Sequence, residues 1–180
     1  RNKMGMMNQI RNVIQTEFRQ FEIEFAKALH SDNPLLNDAL DYIDTQRGKQ
    51  FRPILVLLSA GICKGITEKT IKTAASMELM HTASLLHDDV VDNSDMRRGL
   101  ASVMAKFENK AAVLGGDYFL STALCEAVKT QNIGVMETIS NLGRILIDGE
   151  LLQLTESRNH SFKEDNYFSI IKSKTAALFA

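Results

Sequence analysis

Cysteine and proline are scarce in this chain, two residues of each among 180. Cys63 and Cys125 stand in apolar helical contexts without metal-ligand spacing, so they read as buried free thiols of a cytoplasmic protein rather than a disulfide or a zinc site. With two prolines and ten glycines there is no low-complexity linker, and no internal repeat is found. No run approaches the roughly eighteen apolar residues of a membrane span. The opening Arg1-Asn2-Lys3-Met4-Gly5 leads toward an amphipathic helix rather than a secretory apolar core, so no signal peptide is expected. Charge of one sign is also missing. A net charge of −1 gives no electrostatic footprint for nucleic acid or an anionic membrane. The 44% hydrophobic and 24% charged content is that of an ordinary globular chain, read as one helical domain over residues 1–180 with room for a core.

Apolar residues recur at helical spacing through most of the chain. Ile10, Val13, Ile14, Phe18, Phe21, Phe25 and Leu29 form one stripe. Ser31-Asp32-Asn33 ahead of Pro34 is a helix start, and the helix through Leu36, Leu40 and Ile43 is expected to stop near Gly48. Periodicity cannot assign the apolar run 54–62 after Pro53. With no alternating strand elsewhere to pair with it, it reads as a buried helix closed by Lys64-Gly65. Thr67 is the expected N-cap of the next helix. Beyond Gly99 a short irregular passage is expected, then helices over 111–129 and 133–158. Gly143 and Gly149 interrupt the latter, at about 1 kcal/mol each against alanine. Ser161-Phe162-Lys163-Glu164 has the pattern of a capping box opening a last helix to Ala180, where the chain reads as cut off within a helix. The fold class is all-α, with helices apolar enough to need partners on several sides, hence a bundle.

The chemistry gathers in one stretch, His81-Thr82-Ala83-Ser84-Leu85-Leu86-His87-Asp88-Asp89-Val90-Val91-Asp92, followed by Asn93-Ser94-Asp95-Met96-Arg97-Arg98-Gly99. On a helix, Asp88 and Asp92 share a face with Asp89 beside them, and like charges so placed repel. A cation between them removes that penalty. Hard oxygen donors suit Mg²⁺, which is commonly held by one or two carboxylates and completed by waters and substrate phosphates. Arg97 and Arg98 then offer guanidinium groups suited to phosphate. The pattern points to a metal-bound diphosphate, set against a plain acidic helix end with a capping arginine pair. Gly48-Lys49-Gln50-Phe51-Arg52-Pro53 places two cations three residues apart ahead of a buried helix, whose first amides would add to an anion site. His81 lies two turns ahead of Asp88 on the same face; His87 is off that face and reads as structural.

The run from His81 to Gly99 resembles the first aspartate-rich motif of the polyprenyl synthetase family, the trans-isoprenyl diphosphate synthases. It is closest to long-chain members such as the octaprenyl and heptaprenyl diphosphate synthases. The resemblance implies an antiparallel helix bundle of the isoprenoid synthase type, whose C-terminal helices, with a second aspartate-rich motif, are absent from this chain. It also implies Mg²⁺ held by Asp88 and Asp92, with Asp88, Asp89, Asp92, Arg97 and Lys174 as the catalytic set. Gly48-Lys49-Gln50-Phe51-Arg52-Pro53 is similar to the family's GKxxRP motif, and Gln50 departs from its usual basic residue. By that likeness Lys49, Arg52, His81 and Arg98 hold isopentenyl diphosphate. Lys174-Thr175-Ala176 resembles the family's KT(A/G) motif, giving Arg97, Lys174 and Thr175 to the allylic diphosphate. Gly116-Asp117-Tyr118 and the segment 149–154 are expected to serve packing or support. Ala83 and Ser84 stand where shorter-chain members carry bulky aromatics, which implies an open floor and a long product, C30 or more. After Gly99, Leu100-Ala101-Ser102 replaces the family's usual Lys-Pro-Thr.

The function so implied is head-to-tail prenyl transfer between an allylic diphosphate and isopentenyl diphosphate. The expected enzyme is cytoplasmic and a homodimer, with a heterodimer as the alternative. The 180-residue piece alone is expected to show little turnover. Two rivals stand beside this. One is a non-catalytic partner subunit of a heteromeric synthase. The other is an HD-type phosphohydrolase using His81, His87 and Asp88, which leaves the Lys49/Arg52 and Arg97/Arg98 pairs unexplained.

Overall fold

The computed structural model describes residues 9–159 and 163–179. They fall into two compact units that meet in sequence between Gln131 and Asn132.

In the first unit, α1 (Gln15–Ala28) buries Phe18, Phe21 and Phe25. Their rings pack at 5.4 and 5.8 Å between centroids along one helix face. Helical backbone at residues 9–13 precedes it, broken at Ile14 (φ −122°, ψ 28°). Helix α2 (Pro34–Thr45) starts as the sequence implies: Asn33 accepts the Leu36 N–H at 3.2 Å and Pro34 takes the first turn. The apolar run after Gln50 is a helix, α3 (Phe51–Cys63), burying Pro53, Ile54 and Leu57. It ends where Lys64 and Gly65 (φ +93°) both donate to the Ala60 carbonyl, at 3.1 and 2.9 Å.

The central element is α4 (Glu68–Val91). Thr67 and Thr70 cap it reciprocally, and it buries residues on every side, from Ile71 through Ala74, Leu79 and Ala83 to Asp89. Its main partner is α5 (Val103–Lys129), which buries Ala112, Gly115, Gly116, Phe119, Ala123 and Ala127. Small residues bring the two backbones close enough for Ser76 Oγ to donate to the Ala123 carbonyl at 2.7 Å. Gly116 is needed for a second close approach: a Cβ there would lie 2.3 Å from Nε2 of His87. His87 is thus packing, within 3.3 Å of the Val113 carbonyl and of Asp117.

Between α4 and α5 the expected irregular passage is a hairpin and an earlier helix start. Strands β1 (Met96–Arg97) and β2 (Leu100–Ala101) pair antiparallel, Arg97 opposite Leu100. The two turn residues, Arg98 and Gly99, have φ of 52° and 82°, the left-handed pair a two-residue hairpin requires. Ser102 then caps α5 through the Ala105 N–H at 3.1 Å, so the helix begins at Val103, eight residues before the expected start. That helix breaks at Glu108 (φ 71°), the position that obscured its periodicity.

In the second unit, α6 (Ile133–Asn159) and α7 (Glu164–Lys174) cross at Gly149, where a Cβ would lie 2.7 Å from Cβ of Ser173. The glycine read as a cost is therefore a contact point. The last helix does not run to Ala180: α7 stops at Lys174 and a 3₁₀ turn follows over Ala176–Leu178. Its N-cap is Lys163, with no side-chain cap bond; the expected cap Ser161 lies outside the described residues. Both cysteines are exposed free thiols, not buried ones, because they sit on outward helix faces. Among the described residues, one helix is long and apolar enough to cross a membrane by length and composition, α5. No apolar run of that length is expected from the sequence, and the helix is instead packed against α4, burying Ala112, Phe119, Ala123 and Ala127.

Candidate functional site

The α2–α3 loop, the middle of α4 and the β1–β2 hairpin converge on one pocket. Gln46, Arg47, Gly48, Gln50, Glu78, His81, Thr82, Arg97 and Arg98 supply its polar lining, and Phe25, Leu29, Ile43, Leu85 and Leu86 its apolar one. Gly48 is required by Arg98, whose guanidinium would lie 2.5 Å from a Cβ at that position. Arg98 Nη1 donates to the Gln46 carbonyl at 2.5 Å. Gln50 adopts the left-handed conformation (φ 53°) and opens α3, turning the loop toward α4.

Electrostatics follow from this crowding. Burial pushes the Glu78 carboxyl up, against the opposing pull of Arg52, Arg98 and Arg47. Burial also lowers the Arg52 guanidinium, which Glu78 partly restores and Arg98 lowers further. His81 is held down to about 3, first by burial and then by Arg52, Arg98 and Arg97, so it is neutral at ordinary pH. Its Nδ1 is buried without a hydrogen-bond partner. Of the residues expected to hold one diphosphate, His81 and Arg98 line the pocket and Arg52 stands close enough to shift His81. Lys49 is exposed beside Gly48, its carbonyl accepting Arg11 Nη2 at 2.9 Å.

The acidic end of α4 is built differently. Asp92 caps the helix, its N–H bonded to the Asp88 carbonyl at 2.8 Å, so the two acids stack one turn apart. Asp92 is exposed and Asp88 half-buried. Both sit where the helix dipole is negative, with no basic residue in the last turn of α4 to offset it. Asp89 is not a third acid beside them. It is 2% exposed and turned inward, accepting Nε and Nη2 of Arg97 at 2.7 and 2.6 Å. The reason is the helical rotation of about 100° between neighbours, together with the hairpin, which delivers Arg97 to the inner face. That bond, more than the nearby charges of Asp89, Asp88 and Asp92, raises Arg97 above its ordinary value. Among the described residues no group of three His, Cys, Asp or Glu converges as a ready metal cage. Two oxygen-donor side chains at an open, negatively polarised helix end fit a hard cation that completes its shell with phosphate and water.

Ala83 is buried within α4, and Ser84 is half-buried with its hydroxyl donating to the His81 carbonyl at 2.8 Å. In the second unit Lys174 is salt-bridged to Glu150 and donates to Gln153 Oε1 at 2.9 Å, while Thr175 caps α7. Sequence reasoning missed Glu78, Gln46 and Arg47. Glu78 had a signal, an acid three residues before His81 in an otherwise apolar stretch; Gln46 and Arg47 had none beyond lying next to Gly48.

Residues 33–180 match the model of the family described as Polyprenyl synthetase. The chain is 40% identical over 151 residues to the octaprenyl diphosphate synthase of Escherichia coli, 84% of this chain and 47% of that protein. It superposes on a decaprenyl diphosphate synthase from Rhodobacter capsulatus with a TM-score of 0.91 at 33% identity, over 96% of this chain and 54% of that one. A polyprenyl synthase from Caulobacter crescentus, solved with calcium and isoprenyl diphosphate, gives a TM-score of 0.91 at 28% identity, over 96% and 53%. The chain spans about half the length of the relatives it matches.

Proposed function

The chain belongs to the polyprenyl synthetase family and has the all-α isoprenoid synthase fold, and on that premise we propose that it carries the first diphosphate-binding half of a prenyltransferase. The reaction is head-to-tail condensation of an allylic diphosphate with isopentenyl diphosphate, yielding a long all-trans polyprenyl diphosphate, C30 or more.

Lys49, Arg52, His81 and Arg98 take the diphosphate of isopentenyl diphosphate. The pocket supports this: guanidinium groups crowd a neutral imidazole whose buried Nδ1 is left for a bound oxygen. Asp88 and Asp92 are the ligands for Mg²⁺, with the allylic diphosphate completing its shell; when bound, the ion supplies Lewis-acid charge to the departing diphosphate. Asp89 acts one step removed, fixing Arg97 so that its positive charge is preorganised where negative charge develops. In the second unit Lys174, steadied by Glu150 and Gln153, and Thr175 are by the family likeness residues for an allylic diphosphate. The apolar residues beneath the pocket exclude water that would capture a carbocation. Small residues at 83 and 84 leave room for a growing chain.

The observation that carries this reading is that a single helix lines a pocket rich in guanidinium groups at its middle and ends in a stacked pair of acids. A transition-metal phosphohydrolase explains none of the guanidinium groups. We take the enzyme to be cytoplasmic and a homodimer, with a heteromeric synthase as the second assembly, and the 180 residues alone to give little turnover. The test is incubation of the complete protein with farnesyl and isopentenyl diphosphates and Mg²⁺, reading products by mass. Farnesyl diphosphate as the end product from a shorter primer would overturn the chain length, and no extension at all would overturn the activity. Ala83→Phe, with its melting temperature checked, is expected to shorten the product.

A further inference from the structure

The hairpin that carries Arg97 and Arg98 is too small to hold itself. Each strand has two residues, and the turn keeps a non-glycine, Arg98, at φ 52°. Even longer two-stranded hairpins are marginal in water when isolated, and a left-handed side-chain-bearing residue persists only where its surroundings enforce it. One tie, Asp89 to Arg97, secures the first strand. The second strand is secured from α2. The Ala101 carbonyl accepts both the Tyr42 hydroxyl and Gln46 Nε2, each at 2.8 Å. Gln46 is used twice, since its own carbonyl receives Nη1 of Arg98 at 2.5 Å. Its side chain is not a surface group resting on the hairpin by chance, because Gln46 is only 9% exposed. Tyr42 is itself fixed, edge-on to Phe107 at 5.7 Å and beneath Lys106 at 3.6 Å.

We infer that Gln46, assisted by Tyr42, is a positioning residue for Arg98. It locks the α2–α3 loop and the β1–β2 hairpin into one body, so that the Arg98 guanidinium stays over Gly48 in the pocket that His81 also lines. This rests on the reading of that pocket as the isopentenyl diphosphate site. The double acceptance at Ala101 gives the clamp redundancy: with one donor removed the carbonyl remains satisfied, and with both removed it does not. Losses at two residues sharing one partner are then more than additive.

The experiment uses the complete protein with Gln46→Met, Tyr42→Phe and both together. Each single change is expected to raise KM for isopentenyl diphosphate about twofold to threefold, and the pair about tenfold or more. KM for the allylic diphosphate should stay unchanged, because Arg97 has its own anchor in Asp89. Amide hydrogen exchange over residues 96–101 should quicken in the double variant while α4 keeps its protection. A faster-exchanging hairpin with an unchanged KM would overturn the positioning role, as would a parallel loss in both KM values and kcat. Unaltered exchange in the double variant would overturn the clamp itself. A wild-type protein that forms no prenyl product would instead sink the pocket assignment, and the exchange result would still decide whether Gln46 holds the hairpin.

Discussion

Around His81 and around Asp88 the same helix accommodates charge in different ways. Near His81 the charges answer one another: the buried Glu78 faces three arginines, Arg47 and Arg52 half-buried and Arg98 exposed, and the imidazole stays neutral rather than add a further cation. At the end of α4 the exposed Asp92 stands one turn beyond the half-buried Asp88, both in the field of Arg97, against an unfavourable helix dipole and with no basic residue in that last turn. Asp89 marks the border, an acid in sequence with the second group but neutralised like the first. The difference teaches how one helix holds charge in two settings. On the proposed reading the pocket takes an anion directly, and the acids take theirs through a metal.

Four measurements sharpen or break that contrast. Asp88→Ala or Asp92→Ala should lower kcat/KM on the order of a thousandfold, without recovery in excess Mg²⁺, as expected when charge stabilisation of a transition state is removed. Wild-type rates in either variant would erase the metal-dependent half of the comparison. Asp89→Ala should cost about 3 kcal/mol of stability in urea unfolding, since it strands Arg97 beside a buried gap. The exposed Asp92→Asn should fall within roughly 0.5 kcal/mol of wild type in the same assay. Equal costs at the two positions would deny that one acid is structural and the other open. Gly48→Ala pushes a methyl group into the Arg98 guanidinium and should raise KM for isopentenyl diphosphate about tenfold, a cost comparable to one lost charged hydrogen bond; an unmoved KM would detach Arg98 from that substrate.

The last test is a pH dependence. His81 ionises near 6.5 when unfolded but only at about 3 when folded. As pH falls below about 6.5 the unfolded chain gains a proton that the folded one refuses, so this residue withdraws stability progressively down to its folded value. Glu78, raised when folded, works in the opposite sense in acid. Against His81→Gln, which keeps Glu78, wild type should therefore lose melting temperature faster between about pH 6.5 and 5. Parallel curves would mean the imidazole is not desolvated.

Much of this was legible in the residues. The caps at Asn33 and Thr67, the helical reading of the run after Gln50 and the stacking of Asp88 on Asp92 follow from local rules that tertiary packing did not override. What escaped was set by distant partners. An Arg-Gly turn flanked by two-residue strands has no alternating apolar pattern to announce it, and Glu108 broke the period of the helix that follows. Nothing in the spacing of three aspartates says which one a hairpin arginine will claim. Burial of the cysteines was inferred from apolar neighbours, yet those neighbours are themselves partly outward-facing, as at Ile62 and Leu124.

Helix α4 runs from Glu68 to Val91 without a break, and this makes it a ruler. At about 1.5 Å per residue, the seven positions from His81 to Asp88 span about 10 Å along the axis and just under two full turns. The gap between the two proposed headgroup sites is then written in whole residues, not in the give of a loop. Deleting one position between them would shorten the gap only slightly but swing one site roughly a quarter-turn away from the other. A substitution along this rod acts at its own position; a change in its count moves everything beyond it.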